Sequence, residues 1–136
     1  MAGETMIFSP KDTRPASRMT PDWFTGEVDL VRLIEAPEPA RLRASVVTFQ
    51  PGARTNWHTH PLGQTLYVIS GRGRAQREGE PIVEFGPGDV LFFAPGERHW
   101  HGAAPDCDMV HVAMQEALDG SHIDWAEPVT DEQYGG

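Results

Sequence analysis

Gly52-Ala-Arg-Thr-Asn-Trp-His58-Thr-His60-Pro-Leu-Gly-Gln64 is the stretch that decides the fold, and His99-Trp-His101 follows it further along the chain. Each segment carries two histidines separated by one residue. In a β-strand, side chains at positions i and i+2 point to the same face. Each pair of histidines can therefore project two imidazoles to one side of a sheet. The spacing predicts a metal site assembled from two strands that are distant in sequence.

The rest of the chain has the rhythm of an all-β domain. Its 14 glycines and 12 prolines separate short apolar runs, and they supply turns such as Gln50-Pro51-Gly52 and Phe85-Gly86-Pro87-Gly88. A helical period is not sustained over three turns, and Thr130 caps one short C-terminal turn at most. We predict a small antiparallel barrel or jelly roll. Its strands are expected at residues 27–34, 42–49, 57–60, 65–70, 73–77, 81–85, 89–93, 98–101 and 109–115.

Size and charge restrict the partners. A chain of 136 residues is the length of one domain, and we expect an N-terminal arm over residues 1–21 and the barrel over residues 22–136. A net charge of −9 disfavours binding to nucleic acid or to an anionic membrane. The expected partner is a small-molecule substrate. A small barrel with hydrophobic terminal segments also needs its edges covered, which predicts a homodimer or homotetramer.

The cellular compartment is predicted from the cysteine count and the termini. Cys107 is the one cysteine in the sequence, so it has no internal disulfide partner. The N-terminus shows no signal-peptide pattern, and no apolar run is long enough to span a bilayer. These features predict a cytoplasmic protein.

Strand parity also predicts a cavity beside the histidines. His111, Ala113 and Gln115 share one face of the last long strand. The expected walls are Ser45, Val47, Phe49, Leu66, Val68 and Phe92. Three aromatic residues near the termini are instead expected to cover an edge strand or a subunit interface: Trp23, Phe24 and Trp125. His122 is expected in a solvated loop.

These motifs resemble the cupin superfamily. Gly52, His58, His60, Gln64 and Gly71 match its first motif, with glutamine where glutamate is usual, and the run from Gly88 to His99 matches its second. Longer strings, including Trp57-His-Thr-His-Pro-Leu-Gly-Gln64 and His99-Trp-His-Gly-Ala-Ala-Pro, resemble small bacterial cupins that include manganese-dependent hydroxynitrile lyases. In that group glutamine is itself the expected ligand.

The resemblance implies a conserved cupin barrel and a specific site. The implied metal ligands are His58, His60, Gln64 and His99. The implied catalytic residues around the open coordination positions are His101, His111 and Gln115. Mn²⁺ is the implied metal, with Fe²⁺ or Zn²⁺ as possibilities, because imidazole and amide ligands do not by themselves select among these ions.

Three neutral imidazoles and one neutral amide leave a divalent ion with its full charge, which favours stabilisation of an anionic oxygen. The resemblance therefore implies a lyase that cleaves or forms cyanohydrins of the mandelonitrile type. His101 or His111 would take the hydroxyl proton, and Gln115 would orient the nitrile. Two alternatives stay open: a metal-dependent dioxygenase or decarboxylase/isomerase-type cupin acting on small oxygenated compounds, and a cupin that binds a small ligand without catalysis.

Overall fold

Nearly all regular structure in the computed structural model, which describes residues 6–136, is β-strand. Alternating apolar and polar residues, separated by turns that contain glycine or proline, produce this pattern. The elements in chain order are β1 (Ala16–Arg18), β2 (Phe24–Thr25), β3 (Val28–Glu35), β4 (Leu42–Phe49), β5 (Arg54–Thr55), β6 (His58–Thr59), β7 (Gln64–Gly71), β8 (Gly73–Arg77), β9 (Val83–Phe85), β10 (Val90–Phe93), β11 (His99–Ala103), β12 (Met109–Glu116), β13 (Asp124–Trp125) and α1 (Asp131–Gly135).

The strands form two antiparallel sheets. The first has the order β1-β3-β4-β12-β7-β10. The second has the order β13-β6-β11-β5-β2, and β8 pairs with both β11 and β9. Neighbours in these sheets are often far apart in sequence, as in the β4–β12 pair, so the fold brings distant segments into direct contact. The all-β jelly-roll barrel predicted from the sequence is confirmed.

The predicted strands over 42–49 and 73–77 match β4 and β8, and the other long strands agree to within a few residues. Four strands were not predicted: β1, β2, β5 and β13. Each has two or three residues, too few to display an alternating pattern. β1 lies within the predicted arm and pairs with β3, so this part of the arm is an edge of the first sheet. The boundary at residue 22 stays a prediction.

Two apolar clusters stabilise the barrel. The main core lies between the sheets and contains Phe49, Leu66, Val68 and Met109, all fully buried. A second cluster lies on the opposite side of the second sheet, where Trp57 and Trp100 pack with Val129 and Tyr134. Opposite strand parity sends both tryptophans away from the neighbouring histidines, as predicted.

The C-terminal helix α1 closes over this second cluster. Thr130 caps it, as predicted, and completes a capping box with Gln133. Tyr134 on the helix donates its hydroxyl hydrogen to the Ala103 carbonyl, which joins the helix to β11. Over residues 6–136, none of the helical structure has the length and hydrophobicity needed to cross a membrane.

A glycine positions the start of β7. Gly63 has φ of 82°, in the left-handed region. A Cβ atom at this position would lie 2.6 Å from the carbonyl oxygen of Phe93. Only glycine combines that backbone conformation with so close an approach to β10, and the next residue is Gln64, whose side chain turns into the barrel.

Candidate metal centre

Three histidines from two neighbouring strands converge inside the barrel. His58 and His99 are direct partners across the β6–β11 pair, and His60 follows two residues after His58. Each can offer a ring nitrogen, and these three atoms lie within 4.8 Å of one another. All three side chains are buried. The sequence spacing predicted this convergence, and the cross-strand register produces it.

Backbone carbonyls orient the three imidazoles. In each ring Nδ1 lies within hydrogen-bonding distance of a carbonyl oxygen, so Nδ1 carries the proton and Nε2 keeps its lone pair. The accepting carbonyls are those of Asn56 for His58 (2.9 Å), His122 for His60 (2.6 Å) and Glu97 for His99 (2.9 Å). Among residues 6–136, the Nε2 atoms of His60 and His99 are buried and find no hydrogen-bond partner. This arrangement is typical of imidazoles prepared to bind a metal.

Gln64 offers a fourth donor atom. Its amide nitrogen donates to Oε1 of Gln115 at 3.0 Å. That contact directs the amide oxygen of Gln64 the other way, and this oxygen is buried without a partner in the described chain. Unpartnered buried polar atoms are costly unless a ligand satisfies them. Three imidazole nitrogens and one amide oxygen, all neutral, therefore fit a divalent cation.

The same burial keeps the three imidazoles unprotonated. Desolvation lowers the pKa of His60 and of His99 to about 4 in each case. Desolvation also lowers the pKa of His58 well below its usual value, with His99 and His60 adding to the effect. Metal binding requires the neutral ring, so proton competition at these three residues is weak at neutral pH.

His101 and His111 lie beside this cluster. Both side chains are buried, and neither ring nitrogen of either residue has a hydrogen-bond partner within residues 6–136. Their ring centroids are 5.1 Å apart, and the His101 ring is 5.4 Å from that of His58. Burial lowers the pKa of His111 to about 3 and that of His101 well below its usual value. Both imidazoles are therefore neutral and can accept a proton.

One cavity of about 890 Å³ is lined by His58, His60 and Gln64 of the candidate metal centre and by the two neighbouring histidines. As predicted, Ser45, Val47 and Phe49 line it, together with His101, His111, Ala113 and Gln115. The other predicted wall residues are placed differently. Leu66 and Val68 lie in the apolar core, and Phe92 is 63% exposed on the outer face of β10.

Phe93 takes the inward position that the sequence interpretation gave to Phe92. Its ring stacks on the imidazole of His99 with centroids 3.7 Å apart and an angle of 9° between the planes. Phe93 pairs with Gln64 across the β7–β10 ladder, so it faces the same side as that residue. The sequence does not reveal which residue of β10 pairs with Gln64. Because that residue is Phe93, the inward-facing position of β10 is 93 and not 92.

The aromatic residues near the termini also differ from their expected roles. Trp23, Phe24 and Trp125 line the cavity. Trp125 pairs with His58 in the β6–β13 ladder, and its ring lies 5.0 Å from the His58 ring. His122, expected to be solvated, is partly buried and lines the same cavity. These residues reach the site through β2, β13 and the segments just before each of these strands, none of which has a recognisable sequence pattern.

The sequence interpretation missed a group of charged residues at the cavity. Arg14, Arg32, Glu35 and Arg43 all line it. For Arg43 a signal was present, because it has the same strand parity as the inward-facing Ser45. Arg32 precedes an irregularity in the β3–β4 register, so parity cannot be extended through its strand to Glu35.

Similarity to known proteins agrees with this geometry. Residues 45–113 match the cupin domain family. The chain is 62% identical over 113 residues to an (R)-mandelonitrile lyase of Granulicella tundricola. The aligned region covers 83% of this chain and 86% of the relative. A solved cupin-like protein from Thermotoga maritima has 39% identity and a TM-score of 0.83, with 87% of this chain and 90% of that one covered.

A more distant structure shares the fold alone. The polyketide cyclase of Streptomyces resistomycificus has 18% identity and a TM-score of 0.74, with 96% of this chain and 91% of the cyclase covered. The family match spans the histidine segments and the strands that hold them. With the sequence identity to the lyase and the cupin-like protein, it shows that this chain belongs to the cupin family.

Proposed function

We propose that this chain is a metal-dependent lyase that cleaves or forms cyanohydrins of the mandelonitrile type. The observation that carries the proposal is the cluster of three buried, neutral imidazoles and the amide oxygen of Gln64, beside a cavity lined by His101 and His111, whose ring nitrogens have no hydrogen-bond partner in the described chain. The 62% identity to a protein named as an (R)-mandelonitrile lyase selects this reaction from those that cupins perform.

Mn²⁺ is the proposed metal, with Fe²⁺ and Zn²⁺ as alternatives. Nε2 of His58, His60 and His99 and Oε1 of Gln64 would hold it. When bound, it would act as a Lewis acid that stabilises negative charge on a substrate oxygen. The donor set supports this chemistry because it contains no carboxylate to offset the charge of the cation.

His101 and His111 are the proposed groups for the two proton transfers, from the substrate hydroxyl and to cyanide. In the cleavage direction, one of these imidazoles takes the hydroxyl proton of the cyanohydrin through a free ring nitrogen. The electron pair of the O–H bond then forms the carbonyl, and the carbon–carbon bond to the nitrile breaks. The resulting imidazolium returns the proton to cyanide, so the products are an aldehyde and hydrogen cyanide. Burial favours this return because it disfavours the charged ring.

Gln115 orients the nitrile. Its side-chain oxygen accepts the hydrogen bond from Gln64, so its amide N–H groups remain available to donate into the cavity. A donor at this position would stabilise the negative charge that develops on departing cyanide. Gln115 therefore links two roles, since the same side chain holds the amide of Gln64.

Elemental analysis of protein purified without added metal, followed by mandelonitrile cleavage with and without oxygen, tests the proposal. We expect one divalent ion per chain and equal rates under both conditions. His58→Ala should lose both metal and activity, whereas His122→Ala retains the donor set because His122 contributes only its backbone carbonyl to His60. Turnover that requires oxygen would favour the dioxygenase alternative. A loaded site with no turnover would favour the binding protein.

We also propose that two or more copies associate through the outer face of the first sheet. Val90 and Tyr67 are direct partners on this face, and Phe92 and Ile69 lie beside them. All four side chains are about half exposed or more. An apolar surface of this kind supports a homodimer or homotetramer.

The proposed cytoplasmic location rests on the single cysteine, which has no internal disulfide partner.

A further inference from the structure

The charge of the cavity is opposite to that of the protein. The whole chain has a net charge of −9. The charged residues that line the cavity are three arginines, Arg14, Arg32 and Arg43, and one carboxylate, Glu35, among the residues that the structure describes. Asp124 lies near His60 but does not line the cavity. Two positive charges are thus left over where a substrate would enter, and low-dielectric walls strengthen their field.

Strand register connects these charges to the metal centre. Across four neighbouring strands of the first sheet, Glu35 pairs with Arg43, Arg43 with Gln115, and Gln115 with Gln64. Arg43 is therefore two strands away from Gln64 on the same inner face. At a strand spacing of about 4.8 Å, the two backbones are about 10 Å apart. One small molecule can span that distance with an oxygen at the metal centre and a second group beside Arg43.

The guanidinium of Arg43 is held in place but is not saturated. One terminal nitrogen donates to Nδ1 of His122 at 2.9 Å, and the other lies 3.3 Å from Glu35. Its side chain is only 25% exposed. Arg32 reaches the other oxygen of Glu35 at 3.8 Å. The carboxylate of Glu35 shows which kind of group these two arginines accept, and it is about half exposed and can yield its place.

Arg14 contributes a third donor from the N-terminal arm. Its terminal nitrogen is bound to Ser9 and Pro10, which fixes the guanidinium against the arm. Its Nε is buried and has no hydrogen-bond partner in the part of the chain that the structure covers. A neutral substrate such as mandelonitrile would give none of these guanidinium groups an anionic partner. A carboxylate would satisfy them, because guanidinium and carboxylate are matched in shape and charge.

We propose that the mouth of the cavity is a carboxylate-binding subsite formed by Arg43, Arg32 and Arg14. The substrate class is then a cyanohydrin, or the matching aldehyde, that carries a carboxylate remote from the reacting carbon, rather than an uncharged one. The subsite deepens the proposed function, and it rests on that proposal only for the reaction at the far end of the molecule.

Binding to the metal-free protein tests the subsite separately from turnover. The probes are 3-formylbenzoate and its neutral analogue of the same shape, 3-formylbenzamide. Trp23 and Trp125 line the cavity, so quenching of tryptophan fluorescence reports binding, and titration calorimetry checks the affinities. We expect the carboxylate to bind roughly 10-fold or more tightly, the gain of one charge-assisted hydrogen bond. The preference should shrink as salt is added.

Three substitutions should change this preference for the carboxylate: two should lower it and one should raise it. Arg43→Met and Arg32→Met should reduce it, with the smaller effect at Arg32, which is 68% exposed. Glu35→Gln should increase it, because the competing carboxylate is removed. Arg72→Met is the matched control, since Arg72 lies between β7 and β8, forms an exposed ion pair with Asp106 and should leave the preference unchanged.

Equal affinity for the acid and the amide would overturn the subsite, and so would an equal loss in Arg43→Met and Arg72→Met. Because Arg43 contacts His122, whose carbonyl holds His60, its variant is compared by metal content as well. If that variant loses metal binding, Arg32→Met and Glu35→Gln decide the question. A preserved preference in a protein that cleaves no cyanohydrin would reject the proposed reaction and retain the subsite.

Discussion

Metal removal should make this protein sensitive to mild acid. Burial lowers the pKa of His60 and His99 to about 4 and that of His111 to about 3, from 6.5 in an exposed histidine. In the unfolded chain these rings are protonated as the pH falls below 6.5, whereas in the folded protein they stay neutral. The unfolded state therefore binds more protons, and folding stability falls with decreasing pH.

The size of this effect follows from the three pKa values. At about pH 5, each of these histidines lowers the free energy of unfolding by about 2 kcal/mol relative to pH 8. The sum is about 6 kcal/mol, comparable to the 5 to 15 kcal/mol that typically separates folded and unfolded states. His58 and His101 act in the same direction, since burial lowers their pKa values as well. A bound metal should oppose the loss because it occupies the neutral rings.

Urea unfolding of chelator-treated protein, followed by tryptophan fluorescence at about pH 7.5 and 5, measures the difference. In His111→Leu, which removes one buried titratable ring outside the ligand set, the difference between the two pH values should shrink by about 2 kcal/mol. Carboxylates titrate mainly below this window and contribute little to it. A metal-free protein whose free energy of unfolding differs by less than about 1 kcal/mol between these pH values would refute the reasoning.

Three further predictions concern the ligand amide and the C-terminal helix. Gln64→Glu should keep the metal but lower kcat roughly 10-fold or more, because a carboxylate offsets the positive charge that stabilises the developing oxyanion; loss of metal, measured by elemental analysis, would contradict this. Gln115→Leu leaves the Gln64 amide nitrogen without its acceptor and should weaken metal affinity roughly 10- to 100-fold, as measured by competition with a chelator; unchanged affinity would show that Gln115 does not hold Gln64. Tyr134→Phe removes the hydrogen bond to the Ala103 carbonyl and should lower the free energy of unfolding by about 1 to 2 kcal/mol in a urea titration, with the metal content unchanged; a loss of metal would show that the helix supports the site.

Local patterns were sufficient for much of the fold and of the site. The alternation of residues 42–49 and 73–77 predicted β4 and β8 at their observed bounds. The spacing of His58 with His60, and of His99 with His101, placed these residues on common faces. Short strands failed because two or three residues carry no period, and Phe92 was misplaced because the register of β10 against β7 is a property of the sheet.

By itself, the sequence determined the strand periodicity, the turns and the shared face of each histidine pair, because each depends on neighbours within a few positions. The tertiary structure alone decided how those side chains are used. Gln115 on β12 turns the oxygen of Gln64 towards the histidines, and the carbonyl of His122 selects the ring nitrogen that His60 presents. Strand parity puts Arg43 on the same face as Ser45, but its place beside Gln115 follows from the pairing of β4 with β12. Hydrogen-bond partners and charges that meet across strands distant in sequence leave no local pattern, so only the folded register reveals them.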